Sequence, residues 1–153
     1  MRIHAASPAD LDDLTQLFAG YLQFYREDKS MAAIRVFLAA RLSSGDSQLF
    51  LARDASGVAL GFVQLYPFQA SLALQPAWLL SDLYVDEAAR RQGVGEALMN
   101  SARTHAERTG ACGLQLQTAK SNLVGQALYE RLGYVRDELF HTYWLALPLP
   151  DGD

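Results

Sequence analysis

The sequence predicts a mixed α/β domain, a single sheet of about seven strands with helices on both faces. Three observations carry that expectation. Apolar residues recur at helical spacing in four stretches, each opened by a capping residue or closed by a glycine. Between the second and third of these, strand-like runs follow one another across turn clusters, whereas later strands alternate with helices. The chain has 153 residues, half of them hydrophobic, enough for one packed core.

The elements follow in order. Ile3 to Ala6 is a short strand. Ser7, Pro8 and Asp10 make a Ser-x-x-Asp start with proline at the first helical position. Leu11, Leu14, Phe18, Tyr21, Leu22 and Tyr25 continue that helix until the charged break Arg26-Glu27-Asp28-Lys29. Ser30 caps a second helix with Ile34, Phe37, Leu38 and Leu42 on one face, ended by the turn cluster Ser43 to Asp46. Strands then read over Gln48 to Arg53, Val58 to Phe68 and Trp78 to Val85. Asp54 to Gly57 is a hairpin turn and Ala70 to Pro76 a loop. Val94, Ala97, Leu98, Ser101, Ala102 and His105 give the third helix, with Gly110 just past its end. Leu114 to Thr118 is a strand and Asn122 to Leu132 a helix stopped by Gly133. Tyr134 to Asp137 and Phe140 to Leu147 are two final strands. The order is β-α-α-β-β-β-α-β-α-β-β, with residues 1–148 as a single domain and 149–153 as a C-terminal tail.

Charge and composition narrow the function. The net charge is −4, with 13 Lys and Arg against 17 Asp and Glu, and no basic face for nucleic acid is apparent. No apolar run approaches the roughly 20 residues that span a bilayer, and no signal peptide is recognisable at Met1 to Ala5. The expectation is a cytoplasmic protein binding neither nucleic acid nor membrane. Cys112 is the sole cysteine, so no intrachain disulfide can form. It reads as buried and inert. His105 reads as structural, and no metal-ligand spacing is present.

The most informative stretch runs from Asp82 to Leu98: strand, loop, Gly-rich turn, helix. Glycines let the backbone approach a ligand. A helix N-terminus offers outward N–H groups and a favourable dipole for an anion. Arg90 and Arg91 stand at its rim and can pair with phosphate. The Gly-x-Gly-x-x-Gly pattern of dinucleotide enzymes and the Gly-Lys-Ser/Thr of a P-loop are both absent, which argues against a nicotinamide oxidoreductase. Alone, the turn could equally be a capped helix start with two solvated arginines.

A second constellation lies downstream. Asn122 opens a helix, and Tyr129 follows nearly two turns later on the same side. Gly125 and Ala127 leave room beside it. The two together resemble the GNAT superfamily of N-acetyltransferases. Arg90-Arg91-Gln92-Gly93-Val94-Gly95 resembles that family's Arg/Gln-x-x-Gly-x-Gly/Ala turn. Asn122 and Ala127-Leu128-Tyr129-Glu130-Arg131-Leu132-Gly133-Tyr134 resemble its later helix, and the element order is similar along nearly the whole chain. Trp78 to Val85 further resembles the Hpa-like histone and polyamine acetyltransferase branch.

The resemblance implies the GNAT fold and an acetyl-CoA-dependent transfer to an amine without an acyl-enzyme. It implies that two strands splay near Val85 and Thr118, with the pantetheine arm of coenzyme A between them. Leu83, Tyr84 and Val85 would line that arm. Gln92, Gly93, Val94, Gly95 and Glu96 would hold the pyrophosphate beside Arg90 and Arg91. Asn122 would bond the pantetheine next to Gly125 and Ala127. Tyr129 would donate a proton to the leaving thiolate, a role its ordinary pKa of about 10 permits. Read without the family, Tyr129 is a packed helix aromatic. The attacking amine must be neutral, yet an alkylamine of pKa about 10.4 is only about 0.1% neutral at pH 7.4. Asp82 is the candidate to take its proton, directly or through a water, or else a structural carboxylate bonded to nearby backbone. Glu27, Asp28, Asp82 and His141 are candidates to hold a cationic acceptor, with Tyr143 beside His141. Glu27 and Asp28 also read as a solvated turn. The final strand, with Phe140, Tyr143 and Trp144, could supply a homodimer interface. The competing reading is an acyl-CoA-binding sensor that keeps the cradle without the chemistry.

Overall fold

The longest strand of the chain forms the spine of the sheet. In the computed structural model, which describes residues 1–150, it is β3, Ala59–Ala70. Around it stand β1 (Arg2–Ala5), β2 (Gln48–Arg53), β4 (Gln75–Val85) and β5 (Leu114–Leu116), in the order β1-β2-β3-β4-β5. The helices are α1 (Leu11–Phe24), α2 (Met31–Ser44), α3 (Val94–Arg108) and α4 (Leu123–Arg131). The chain divides into two compact units, Met1–Gln117 and Thr118–Asp153.

In the first unit all neighbouring strands are antiparallel except β4 and β5, which are parallel. Asp54 sets the β2–β3 hairpin. Its carboxylate accepts the N–H groups of Ser56 and Val58, each at 2.9 Å, a short polar side chain closing its own turn. The expected loop Ala70 to Pro76 is shorter than its bounds, because Ala70, Gln75 and Pro76 belong to the strands. Gln69 pairs with Pro76 and Ala70 with Gln75. The reversal is compressed into a 3-10 turn at Ser71–Ala73 with Leu74 left-handed. The ladder extended the two strands beyond where the proline signalled a break, because strand-edge proline is tolerated.

Period-two alternation divides the core. Leu49, Leu51 and Phe62 point to α1 and α2, where Leu14, Leu17, Phe18, Ile34 and Leu38 are buried against them. Phe50, between Leu49 and Leu51, points the other way and meets the His105 ring of α3 at 5.5 Å. α1 and α2 therefore cover one face and α3 the other. Each buried Leu or Phe contributes about 1.5–3 kcal/mol of transfer free energy. The start of the first helical segment follows its capping signal: the Asp10 carboxylate accepts the Ser7 N–H at 2.8 Å.

In the second unit, α4 is opened by Asn122 and closed after Leu132 by Gly133. The two strands expected over Tyr134 to Asp137 and Phe140 to Leu147 do not form, so the described sheet has five strands rather than about seven. Extended backbone becomes strand only when a neighbour satisfies its N–H and C=O groups, and no described segment pairs with this stretch. From Val135 onward its side chains are correspondingly open to solvent: Tyr143 is 89% and Trp144 88% exposed. Of the expected tail, residues 149 and 150 are exposed, and Asp151 to Asp153 lie outside the described residues. Cys112 is likewise exposed rather than buried. It sits in the turn before β5, where its backbone N–H reaches Pro76 O at 2.9 Å.

Candidate active site

The site is built first on an irregularity in β4. Asp82 pairs with Gln64 and Leu80 with Leu65, leaving Ser81 as an extra residue. Such a bulge re-aims the side chains on either side of it. Gln64 and Leu65 are adjacent and face opposite sides of the sheet. Leu80 and Asp82, although two apart, therefore also face opposite sides. Leu80 is buried, while Asp82 is half-buried and accepts a hydrogen bond from Gln64 Nε2 at 2.9 Å.

Beyond Asp82 the peptide groups alternate. The Asp86 N–H donates to Leu60 O on the β3 side. In an antiparallel ladder this directs Tyr84 toward β3 and turns the peptide groups of Leu83 and Val85 to the other edge. The β5 register on that edge covers Trp78–Leu80 against Leu114–Leu116 only. Among the described residues, no strand pairs with Leu83 to Val85 there. The parallel pair thus ends where β4 continues. Tyr84 differs from its neighbours: its ring packs on the α1 side, 6.3 Å from Tyr21.

β4 leads through a short 3-10 turn at Glu87–Ala89 into the cradle. Gly93 is the N-cap of α3 with φ 80°, a left-handed conformation natural to glycine, and no side chain caps the helix. The first i to i−4 bond runs from Ala97 N–H to Gly93 O at 3.1 Å. The N–H groups of Val94, Gly95 and Glu96 lie ahead of it in the first turn, where they point out of the helix end. Arg91 is exposed and also left-handed, at φ 63°. Arg90 is turned back: its Nε donates to Val85 O at 3.1 Å, and its guanidinium lies 5.6 Å from the Tyr84 ring and 5.9 Å from that of Phe24. Gln92 Nε2 reaches Ala88 O at 3.5 Å. This arrangement can accept a diphosphate by backbone donors and dipole, with a guanidinium at the rim.

In the second unit, Asn122 does two things at once. Its Oδ1 accepts the Gly125 N–H at 3.1 Å and its Nδ2 donates to Thr118 Oγ1 at 3.0 Å. A Cβ on residue 125 would lie 2.4 Å from Asn122 Nδ2, so glycine there is what lets Asn122 fold over the helix start. Tyr129 lies on the same helix with Ala127, its ring 6.3 Å from that of Tyr134.

Glu27 and Asp28 are exposed in the turn between α1 and α2, and His141 is exposed in the irregular C-terminal stretch. Cradle and Asp82 share the first unit; Asn122, Gly125, Ala127, Tyr129 and His141 share the second. Sequence reasoning missed Gln64, which reads as one polar letter in an apolar strand. It also missed Tyr66, whose hydroxyl pKa is pushed up by burial and by the charge of Asp82. The His105 pKa is lowered by burial, with the ring between Phe50 and Trp78, which fits its structural reading. Among the described residues, no cluster of three His, Cys, Asp or Glu side chains could hold a metal ion. None of their helices is long and apolar enough to cross a membrane.

A family model described as the acetyltransferase (GNAT) family matches residues 11–134, the stretch holding both the cradle and α4. The chain belongs to the GNAT family of acetyltransferases. This GNAT protein is 36% identical over 148 residues to an uncharacterized N-acetyltransferase, YhfO, of Bacillus subtilis, covering 97% of this chain and 99% of that one. It is 33% identical to a probable acetyltransferase of Haemophilus influenzae, over 67% of this chain and 70% of the relative. A crystal structure of a probable acetyltransferase superposes with a TM-score of 0.89 at 39% identity, over 99% of both chains. The GNAT chain is thus an N-acetyltransferase with the α/β fold of its family.

Proposed function

We propose that the protein transfers the acetyl group of acetyl-CoA to a primary amine of a small molecule or a protein, by direct attack on the thioester. The observation that carries this reading is the side-chain-uncapped N-terminus of α3 directly after a strand whose last peptide groups face an unpaired edge. The first suits a diphosphate, and the second suits an amide-bearing arm such as pantetheine. The residues present therefore fit the donor. The thioester supplies an electrophilic carbonyl and a thiolate leaving group.

In this reading Asp82 receives the proton of the acceptor ammonium, directly or through a water, and the neutral amine nitrogen attacks the carbonyl carbon. A β4 peptide N–H stabilises the developing oxyanion. The carbon–sulfur bond breaks as the amide forms, and the Tyr129 hydroxyl protonates the departing thiolate. Glu27 and Asp28 would attract a cationic acceptor, as the net charge of −4 also would, and a neutral His141 ring would accept a hydrogen bond from it. The protein would act in the cytoplasm.

We further propose that the protein is a homodimer joined through its C-terminal stretch. Phe140, Tyr143 and Trp144 are 72–89% exposed, and an exposed apolar segment that no described strand pairs with is a surface for another chain.

The test of the catalytic reading is thiol release from acetyl-CoA across polyamines, aminoglycosides, amino acids and lysine peptides. Turnover with at least one amine class is the expected result. Tight acetyl-CoA binding without turnover on any of them would instead favour a sensor.

A further inference from the structure

We propose that Gln64 is a positioning residue for Asp82: it holds one carboxylate oxygen and leaves the other to meet the amine. This rests on the reading of Asp82 as the proton acceptor. Gln64 is 0% exposed, in the middle of β3 among Phe62, Val63 and Leu65. An amide buried there costs desolvation unless every group finds a partner, and an apolar residue of the same size would fill the space without that cost. Two partners are present. Ser47 Oγ donates to Gln64 Oε1 at 2.8 Å, and Gln64 Nε2 donates to Asp82 Oδ2 at 2.9 Å.

The chain has only one sensible polarity. An ionised carboxylate can only accept, so the amide must show Asp82 its NH₂ and turn its oxygen to Ser47. Asp82 thereby fixes the amide's flip, and Ser47, just before β2, anchors the amide oxygen so that the amide in turn holds Asp82. The β4 bulge at Ser81 completes the arrangement by bringing Asp82 to Gln64's face. With Oδ2 engaged beneath and Asp82 half-buried, Oδ1 is the oxygen left to a proton donor above. Tyr66, the next residue of β3 on that face, has its hydroxyl pKa pushed up by its own burial and then by the charge of Asp82. A base held in this way takes a proton without first reorienting.

The experiment is a double-mutant cycle on the full chain, with an amine that the screen shows to be acetylated. Gln64→Met keeps the volume and removes both hydrogen bonds. It is expected to lower kcat about 10- to 100-fold with the acetyl-CoA KM within about twofold of wild type. In an Asp82→Asn background the same change is expected to cost less than about twofold, because its effect runs through the carboxylate. Ser47→Ala, which leaves the amide in place, should lower kcat about two- to fivefold and likewise lose its effect in that background. It decides the question if Gln64→Met does not fold. Losses as large in the Asp82→Asn background as in the wild-type one would overturn the positioning role while leaving Asp82 as the base. Full turnover by Asp82→Asn itself would overturn the base and this inference with it.

Discussion

The Arg53 guanidinium donates from Nη2 to Asp10 Oδ1 at 2.8 Å, tying the end of β2 to the start of the first helical segment. Both side chains are 12% exposed, and Arg53 Nη1 also reaches Asp13 at 2.8 Å. Burial raises the Asp10 pKa. The Ser7 N–H and the Arg53 hydrogen bond and charge, with His4 nearby, more than offset it, so the carboxyl ends below its usual 3.8. A carboxyl depressed in the fold contributes stability that is present above the unfolded value and is lost as pH falls through the folded one. Asp10→Asn should therefore lower the unfolding free energy by about 1.5–3 kcal/mol at pH 7. The gap to wild type should shrink below pH 4. Urea titrations at pH 7 and pH 3 measure both. An equal gap at the two pH values would mean that Asp10 acts through packing or capping alone.

How much of this is legible in the sequence depends on whether the signal is local. Ser7-x-x-Asp10, Ser30, Asn122, Gly110 and Gly133 mark helix ends by short-range hydrogen bonds and backbone conformation, so α1 to α4 can be read within a few residues. The β2–β3 turn is equally plain, because Asp54 closes it within four residues. Features that depend on a partner are not. The bulge at Ser81 exists only relative to β3. Gln64 has meaning only with Ser47 and Asp82, which lie far away in sequence. Phe140 to Leu147 has a strand's composition, yet composition cannot supply the neighbouring chain that a strand needs. The exposure of Cys112 escapes for a similar reason: a small apolar letter before a strand reveals nothing about whether anything covers it.

Gly93→Asp tests the cradle. The backbone at residue 93 has φ 80°, and a Cβ there would meet nothing within 4 Å. The variant therefore has room, and its strain is limited to roughly 1–2 kcal/mol from the left-handed conformation. Its carboxylate would occupy the helix end that the diphosphate is proposed to use. Calorimetry should show acetyl-CoA affinity falling at least about 100-fold while the fold remains, whereas Gly93→Ala should retain measurable binding. Unchanged affinity in the Asp variant would place the cofactor elsewhere.

Deletion of residues 136–153 tests the dimer. Phe140, Tyr143 and Trp144 can each bury about 150–250 Å², and two-fold symmetry doubles the total to roughly 900–1,500 Å². That reaches the range of stable interfaces, about 1,200–2,000 Å². Light scattering should find a dimer for the full chain at micromolar concentration and a monomer for the truncated one. A monomeric full chain would remove the proposal, and so would a truncated chain that still dimerises.

Tyr129→Phe separates binding from chemistry. The change removes one hydroxyl from a ring that lies 6.3 Å from Tyr134, and it leaves the Asn122 cap and the turn at Gly93 untouched. If the hydroxyl serves only to protonate the leaving thiolate, the ground-state complex loses nothing. Acetyl-CoA affinity should then stay within about twofold of wild type while kcat falls about 100-fold or more. The loss should shrink with a donor whose thiol leaves readily without a proton, because such a thiolate needs no acid. Measuring kcat for both donors with both proteins distinguishes the roles: a loss that is independent of the leaving group would assign Tyr129 to packing of the helix instead.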